Sequence, residues 1–105
     1  TQVPLETAGR EKIFAHGSAL TDQLTLLYHE WLGGSTNRSL TPTLFDPVAV
    51  TYTFRPELCP AKPMHIDVDA KGMTIPGQGT ANAEVCLESD EKGFLDLLRR
   101  RIVGD

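Results

Sequence analysis

The spacing of apolar residues predicts helices in the first half of the chain. A short helix is expected over about 6–16, and Gly17 ends it. Ser18 begins a second helix, which ends at the glycine pair 33–34. Its apolar residues follow one another at offsets of 4, 7, 8 and 11, the spacing of one helical face; they are Leu20, Leu24, Leu27, Tyr28 and Trp31. We expect this face, including Tyr28 and Trp31, to pack in the core.

A third helix is predicted to begin at Asp46-Pro47 and to end near Phe54, before Pro56. An aspartate there accepts hydrogen bonds from the free N–H groups of the first turn, and proline is preset for the first helical position. Residue chemistry therefore favours Asp46 as the N-cap. The alternative is a ligand-binding carboxylate at the mouth of an α/β sheet, where helix starts and loops gather around bound molecules.

The second half of the chain changes to the period of strands. Residues 69–72, DAKG, read as a turn followed by a return strand over 73–75. A glycine-rich loop is expected over 76–80 and a further strand over 83–88. The strand before the turn alternates apolar and polar positions, which is typical of a half-buried strand; its apolar members are Met64, Ile66 and Val68.

A final amphipathic helix completes the predicted order. Ser89 or Asp90 caps it, and its apolar stripe consists of Phe94, Leu97, Leu98 and Ile102. No internal repeat is visible. The chain is thus predicted to hold three helices, three strands and a last helix, which indicates a single α/β or α+β domain.

Composition narrows the class of protein. The 105 residues are 40% hydrophobic and 23% charged, which is ordinary for a globular domain. The formal net charge is −4, from 14 acidic and 10 basic residues. Such a balance argues against a general nucleic-acid surface or an anionic-membrane anchor, and no apolar run is long enough to span a bilayer. Because Thr1 is preceded by neither an initiator Met nor a signal-peptide pattern, the chain is expected to be processed or cut from something longer.

The cysteines and histidines form no metal-binding motif. A structural zinc site needs four close ligands, and neither C-x-x-C nor a paired-His motif accompanies Cys59 and Cys86. Two states stay open for them: buried free thiols in a reducing compartment, or one disulfide in an oxidising compartment. A disulfide would close a loop of about 28 residues and stabilise the fold by about 3.5 kcal/mol. Cysteine usage favours a periplasmic or secreted protein.

The acidic turn over 67–72 resembles the opening of an EF-hand loop, but only in part. Asp67 and Asp69 occupy its first and third positions, and Gly72 its sixth. Lys71 stands at the fifth position, and Gln78 stands at the twelfth, where a bidentate Glu is required. We therefore expect a turn with solvated carboxylates rather than a calcium loop.

Several stretches together resemble one enzyme family. The segment 41–58 contains TPTLFDPVAV and then RPEL, which resemble the C-terminal "HDP-x-A-V … x-P-E-L" block of the inosine-uridine preferring nucleoside hydrolases. Residues 1–5, TQVPL, resemble the family's "V-T-x-Q-V-P-L" strand exit, and residues 62–69 resemble its "P-L-x-V-x-V" strand. Residues 82–87, NAEVCL, and 94–98, FLDLL, resemble its closing strand and helix. The resemblance covers nearly the whole chain in the family's order.

The resemblance implies a fold, a reaction and a metal. Nucleoside hydrolases have an α/β fold around a mostly parallel sheet, and they cleave the N-glycosidic bond of ribonucleosides to give ribose and free base. A bound Ca²⁺ holds the nucleophilic water and the ribose hydroxyls, which suits the oxygen ligands that calcium prefers. The Asp of the family's "HDP" motif is a direct calcium ligand, and it falls on Asp46. The resemblance therefore implies a metal-ligand role for Asp46.

The chain departs from the family pattern at two places. Phe45 stands where many members have the His that protonates the departing base. Since Phe donates no proton, activation of the leaving base must come from another group or from stacking that makes the base easier to protonate, or be absent. Phe45 is expected to be a substrate-binding residue, and no catalytic residue is assigned to this chain. The N-terminal "D-x-D-x-x-x-D-D" motif, which supplies calcium ligands and the general base, is absent from these 105 residues.

Two hypotheses from different classes follow. The first is the C-terminal portion of a calcium-dependent nucleoside hydrolase, which contributes Asp46, is inactive alone, and has the remainder of the hydrolase chain and a ribonucleoside as partners; a homo-oligomer is a further expected arrangement. The second is a self-standing, non-catalytic interaction or assembly domain derived from that family. An exposed apolar patch would favour the second, since large patches mark partner surfaces.

Overall fold

The computed structural model describes residues 3–34 and 40–104, and it shows a mixed α and β chain. Residues 1–2 of the first stretch that resembles the family lie outside the described ranges. The helices are α1 (Thr7–Phe14), α2 (Ala19–Gly33), α3 (Phe45–Tyr52) and α4 (Glu91–Val103), with a 3₁₀ turn at Pro56–Leu58. The strands are β1 (Ala61–Met64), β2 (Ile66–Val68), β3 (Thr74–Pro76) and β4 (Ala83–Cys86). None of the helices in these ranges is long and apolar enough to cross a membrane.

The ends of α2 and α4 follow from local chemistry, as the sequence predicts. Ser18 caps α2, because its hydroxyl accepts a hydrogen bond from the Thr21 N–H while the Thr21 hydroxyl accepts one from the Ser18 N–H. Asp90 caps α4 by accepting a hydrogen bond from the Gly93 N–H at 2.9 Å. Gly104 ends α4 in the left-handed conformation with φ of 79°.

The prediction for the buried face of α2 is wrong in part. Leu24 and Tyr28 are half-buried, but Leu20, Leu27 and Trp31 are between 49% and 58% exposed. The buried and half-buried face of α2 is rotated by about one position from the predicted one, because it includes Thr21, Thr25, Tyr28 and Leu32. Its most buried member is Thr21, whose hydroxyl and N–H take part in the N-terminal cap.

A small core lies where α1, α4 and the 3₁₀ turn meet. Its buried apolar residues are Val3, Ile13, Leu58, Cys59 and Phe94. The Asp90 N–H donates to the Leu58 carbonyl at 2.7 Å, which joins the 3₁₀ turn to the start of α4. Glycine is required at position 93, because a Cβ there would lie 2.9 Å from Leu58 Cδ2 and would overlap the Asp90 carboxylate.

The strands form one long antiparallel ribbon in two ladders. β1 pairs with β4 from Ala61↔Cys86 to Met64↔Ala83, and β2 pairs with β3 from Ile66↔Pro76 to Val68↔Thr74. The single strand predicted around 64–68 is therefore interrupted at His65. The Asn82 side chain causes the interruption, because it takes the place of a backbone partner for Ile66. It accepts a hydrogen bond from the Ile66 N–H at 2.8 Å and donates one to the Ile66 carbonyl at 3.0 Å. The described strands pair only in antiparallel ladders, so they do not form the mostly parallel sheet that the resemblance implies.

The turn at the tip of the ribbon is as predicted. The Asp69 carboxylate accepts hydrogen bonds from the backbone N–H groups of Lys71 and Met73 at 2.8 and 2.9 Å. Gly72 adopts a positive φ of 82°, which closes the turn. The acidic side chain is thus used by the turn itself.

The chain is extended and leaves many apolar side chains uncovered. Its radius of gyration is 16.7 Å, against about 13 Å for a compact chain of this length. The large apolar side chains on α2, α3 and the ribbon that are exposed are Leu20, Leu26, Leu27, Trp31, Phe45, Val50, Tyr52, Val68, Met73 and Ile75. The described residues therefore bury a modest core and expose apolar faces on both sides of it.

Candidate functional site

The start of α3 is fixed by pairing with the N-terminal segment. The Leu5 N–H donates to the Pro42 carbonyl, and the Leu44 N–H donates to the Val3 carbonyl, both at 2.9 Å. Pro4 and Thr43 form a β-bridge between them. Two stretches that resemble separate family motifs therefore lie side by side, and their pairing decides where α3 begins.

Asp46 is not the N-cap that residue chemistry favours. α3 begins at Phe45, and its N-cap is Leu44, two residues before Asp46; the Leu44 side chain has no oxygen to offer the helix. Asp46 lies instead in the first turn, where the helix dipole favours a negative charge. The helix ends at Tyr52 rather than near Phe54.

The Asp46 carboxylate is exposed and has no hydrogen-bond or ion-pair partner among residues 3–34 and 40–104. Within the described residues, the favourable interaction of this charge is with the dipole of α3, and no side chain or backbone group bonds to it. A carboxylate in such a position is accessible to a cation or to a ligand hydroxyl.

Asp46 borders an apolar groove between α3 and α4. The groove has a volume of about 360 Å³, and its other lining residues are Pro47, Val50, Thr51, Phe54, Leu97, Leu98 and Arg101. The Arg101 guanidinium lies over the Phe54 ring, 5.9 Å from its centroid. One carboxylate and one guanidinium thus flank an otherwise apolar surface.

Phe45 belongs to a different groove, on the neighbouring face of α3. This groove has a volume of about 300 Å³ and is also lined by Val48, Ala49, Tyr52, Cys59, Ala61, Glu84 and Cys86. The Phe45 ring is 62% exposed, so its face is open to a flat ligand. The two predicted site residues are therefore adjacent in sequence and face grooves on either side of one helix.

Cys59 and Cys86 form a disulfide, which decides between the two states that the sequence leaves open. Their Cα atoms lie 5.6 Å apart, and Cys59 is buried. The bond ties the 3₁₀ turn after α3 to the last strand of the ribbon. A disulfide is compatible with an oxidising compartment.

The described residues do not fit a complete calcium site. Calcium takes six to eight oxygen ligands, and no group of three or more His, Cys, Asp or Glu side chains could hold a metal within the described ranges. Asp46 can supply one ligand. A separate groove of about 730 Å³, between α1 and the start of α4, includes neither Phe45 nor Asp46.

A second cluster of polar groups, at the break in the ribbon, is not predicted from the sequence. His65 Nδ1 donates to the Thr80 carbonyl at 2.7 Å, and His65 Nε2 lies 3.3 Å from Asp67 Oδ1. The hydrogen bond to Thr80 is the main cause of a raised His65 pKa, and the negative charge of Asp67 adds to it. In the sequence, the glycines at 77 and 79 are the features that could have indicated this cluster, because glycine in or beside a strand often marks a close approach of another group to the backbone.

Comparison with known proteins does not identify a family. No protein-family model matches this chain, and no curated protein matches it. The resemblance to nucleoside hydrolases therefore rests on the motifs of the sequence alone.

Proposed function

We propose that this chain is the C-terminal portion of a ribonucleoside hydrolase, which cleaves the N-glycosidic bond to give ribose and free base. The proposal rests on the ordered motifs of the sequence. The structural observation that carries it is Asp46, which the motif makes a calcium ligand and whose carboxylate is exposed and unpartnered in the described part of the chain.

The proposed reaction gives each site residue a distinct task. Glycosidic cleavage passes through an oxocarbenium-like centre, so a nucleophilic water must be positioned and the leaving base must be stabilised. In the proposed enzyme Asp46 would supply one oxygen ligand to a Ca²⁺ whose other ligands lie outside this chain, and a calcium ion bound there would position and acidify the water. Phe45 offers an aromatic face to the base but no proton. Leaving-group protonation then falls to another group or to the solvent.

The uncovered apolar faces support the partner that this proposal requires. Leu20, Leu27 and Trp31 form a stripe on α2 that is about half exposed. Covering such a stripe with further polypeptide would be favourable by about 25 cal/mol per Å² of apolar surface. The remainder of the hydrolase chain is the proposed cover.

The experiment is a nucleoside-cleavage assay on the complete protein with Asp46→Ala. Loss of a group that merely orients a metal ligand typically costs 10- to 100-fold, so loss of a direct ligand is expected to lower kcat/KM by more than about 100-fold. Release of base from inosine and uridine is followed with added Ca²⁺ and after its chelation. Asp22→Ala is the matched control, because Asp22 is an exposed acid in the first turn of α2.

Three results would count against the proposal. They are unchanged activity of Asp46→Ala, activity that survives calcium chelation, and full activity of the isolated 105 residues. A complete protein that releases no base from any ribonucleoside would also exclude it.

The second candidate is a non-catalytic assembly domain derived from the same family. The apolar stripe on α2 favours it as well, because a surface of this kind fits a protein partner. The two candidates differ in activity: the assembly domain should release no base, while its Leu27→Glu variant should dissociate from the partner.

For either candidate we propose a secreted or periplasmic protein. The test is a thiol titration of the denatured, unreduced chain, in which we expect no free thiol.

A further inference from the structure

The break in the ribbon brings a histidine, a carboxylate and a backbone carbonyl together. The His65 imidazole lies between the Thr80 carbonyl, 2.7 Å from Nδ1, and the Asp67 carboxylate, 3.3 Å from Nε2. Its side chain is 25% exposed. The two contacts tie the loop 77–80 to strand β2 at a place where ladder pairing stops.

Both contacts are satisfied only when the ring carries two protons. A carbonyl oxygen accepts, so Nδ1 must hold the first proton. In the neutral ring, Nε2 would then present a lone pair to the Asp67 carboxylate, which is repulsive. In the imidazolium, Nε2 donates to Asp67, and the hydrogen bond is charge-assisted.

The loop is shaped to fit this arrangement. The Gly77 N–H donates to the His65 carbonyl at 2.8 Å. A Cβ on Gly77 would lie 2.7 Å from His65 Cδ2 and would overlap Asp67 Oδ2. Gly79 has φ of 143°, and a Cβ there would lie 3.3 Å from His65 Nδ1. Both glycines therefore permit the loop to close on the ring.

We propose that His65 is a proton-dependent clasp, which holds the loop 77–80 against β2 most firmly while the imidazole is doubly protonated. When Nε2 loses its proton, the Nδ1–H bond to the Thr80 carbonyl remains, but the ring loses its charge and presents a lone pair to Asp67, so the loop is held less firmly. Asp67 is the charged side chain in contact with the ring. The facing segment 76–82, PGQGTAN, contains no charged residue, so it offers the ring only backbone and neutral groups.

The direction of the pH effect follows from the contacts. Both partners favour the charged ring, so the pKa of His65 is raised in the folded protein. A raised pKa means that the clasp's contribution is fully present below the ordinary histidine pKa of about 6.5. It is lost as the pH rises through the higher pKa of the folded state. The loop should therefore be held more firmly in mildly acidic solution than at a pH above the pKa of the His65 imidazole in the folded protein.

The test is an NMR pH titration of the complete protein. The ¹⁵N shifts of the His65 ring give its protonation midpoint, and hydrogen exchange of the Gly77 amide, corrected for the intrinsic rate at each pH, reports closure of the loop. We expect the midpoint to lie above that of the same histidine in the denatured chain. We expect Gly77 protection to fall with the same midpoint.

Variants separate the clasp from a merely structural contact. Asp67→Asn and Gly77→Ala should both lower the His65 midpoint, although Gly77→Ala alters neither titrating group. Asp69→Asn is the control, because Asp69 lies on the same ribbon and caps its turn without contacting the ring. In His65→Gln, Gly77 protection should no longer depend on pH.

A His65 midpoint at or below its denatured-state value would overturn the proposal, as would Gly77 protection that is independent of pH in the unsubstituted protein. Equal shifts from Asp67→Asn and Asp69→Asn would overturn it too, because the effect would then be one of general charge. None of these results depends on nucleoside hydrolysis, so the clasp and the proposed enzyme fail separately.

Discussion

Arg10 is a buried charge that contacts both its own segment and the neighbouring helix α2. Only 7% of the residue is exposed. Its guanidinium donates to the Leu5 carbonyl at 2.6 Å and to the Thr7 hydroxyl at 3.1 Å, and it lies over the Tyr28 ring, 5.0 Å from the centroid. The side chain thus connects the segment before α1, the first turn of α1 and the inner face of α2.

Replacement of Arg10 by Met keeps most of the side-chain volume but removes every donor. The Leu5 carbonyl then lacks a partner, so we expect the free energy of unfolding to fall by about 2–3 kcal/mol. Urea unfolding measures the loss. Lys12→Met in the same helix is the control, because Lys12 is exposed, and it should change stability by less than about 0.5 kcal/mol.

Substitution of Phe45 tests its proposed role in substrate binding without a change in the stability of the fold. Because its ring is largely exposed, Phe45→Ala should leave the melting temperature of the complete protein unchanged. Loss of a stacking partner is worth about 1–3 kcal/mol per base, so we expect KM for ribonucleosides to rise about tenfold or more. Met73→Ala, at an equally exposed apolar position on the ribbon, should leave KM as it was; equal effects of the two variants would contradict the role.

The position of Asp46 shows where prediction from single residues stops. An Asp-Pro pair correctly indicates a helix start, but the N-cap lies two residues earlier, at Leu44. That shift is set by hydrogen bonds between residues about 40 apart in the chain: the Leu44 N–H donates to the Val3 carbonyl, and the Leu5 N–H donates to the Pro42 carbonyl. The helix-capping preferences of single residues cannot predict such long-range pairing. The His65 cluster has the same character, because its carbonyl partner lies 15 residues away.

At the scale of elements, α4 packs closely against the 3₁₀ turn at Gly93, which lies against Leu58. Gly93→Ala would normally favour a helix. Here its Cβ would collide with Leu58 and with the Asp90 cap, so we expect a loss of about 1–3 kcal/mol in unfolding free energy. Gly33→Ala is the matched control, because a Cβ at that helical position meets nothing within 4 Å. It should be neutral or stabilising by up to about 1 kcal/mol.

The disulfide makes a second prediction at this scale. It spans 27 residues, and closing such a loop restricts the unfolded chain by about 3.5 kcal/mol. The pair Cys59→Ala and Cys86→Ala should lower the free energy of unfolding by about that amount in urea. Reductant should lower the stability of the unsubstituted protein in the same way and leave the double variant unaffected. A reductant-insensitive unsubstituted protein would contradict the prediction.

Element types were more predictable than their packing. Periodicity and caps predict all four helices, because those features are local. The same periodicity identifies an apolar stripe on α2 without saying what covers it, and three of its residues prove to be half exposed. The ribbon was predicted as three strands rather than four, since the Asn82 side chain that interrupts it acts across 16 residues.

For the whole molecule, the extended shape and the exposed apolar faces predict a dependence on context. Leu27 is 58% exposed in this chain, so Leu27→Gln should change the unfolding free energy of the isolated 105 residues by less than about 0.5 kcal/mol. In the complete protein, where further polypeptide is proposed to cover α2, the same change should cost about 1–3 kcal/mol.

The comparison needs a polar position on the same helix. Gln23→Ala, at an exposed site of α2, should have a small effect in both contexts. Thermal or urea unfolding of the four variant proteins measures the difference. If Leu27→Gln has the same small effect in both, α2 stays uncovered and the proposed packing is wrong.

The disulfide also makes the ribbon a covalently closed loop, and this has a consequence for proteolysis. Between Cys59 and Cys86 the sequence contains two lysines and no arginine: Lys62, which precedes Pro63, and Lys71, which lies in the exposed turn at the tip. Trypsin cleaves poorly before proline, so a first cut within the loop should fall after Lys71. The nicked protein would then migrate as one species on a denaturing gel without reductant and separate into two fragments with it. A single break in the backbone would leave the molecule in one piece.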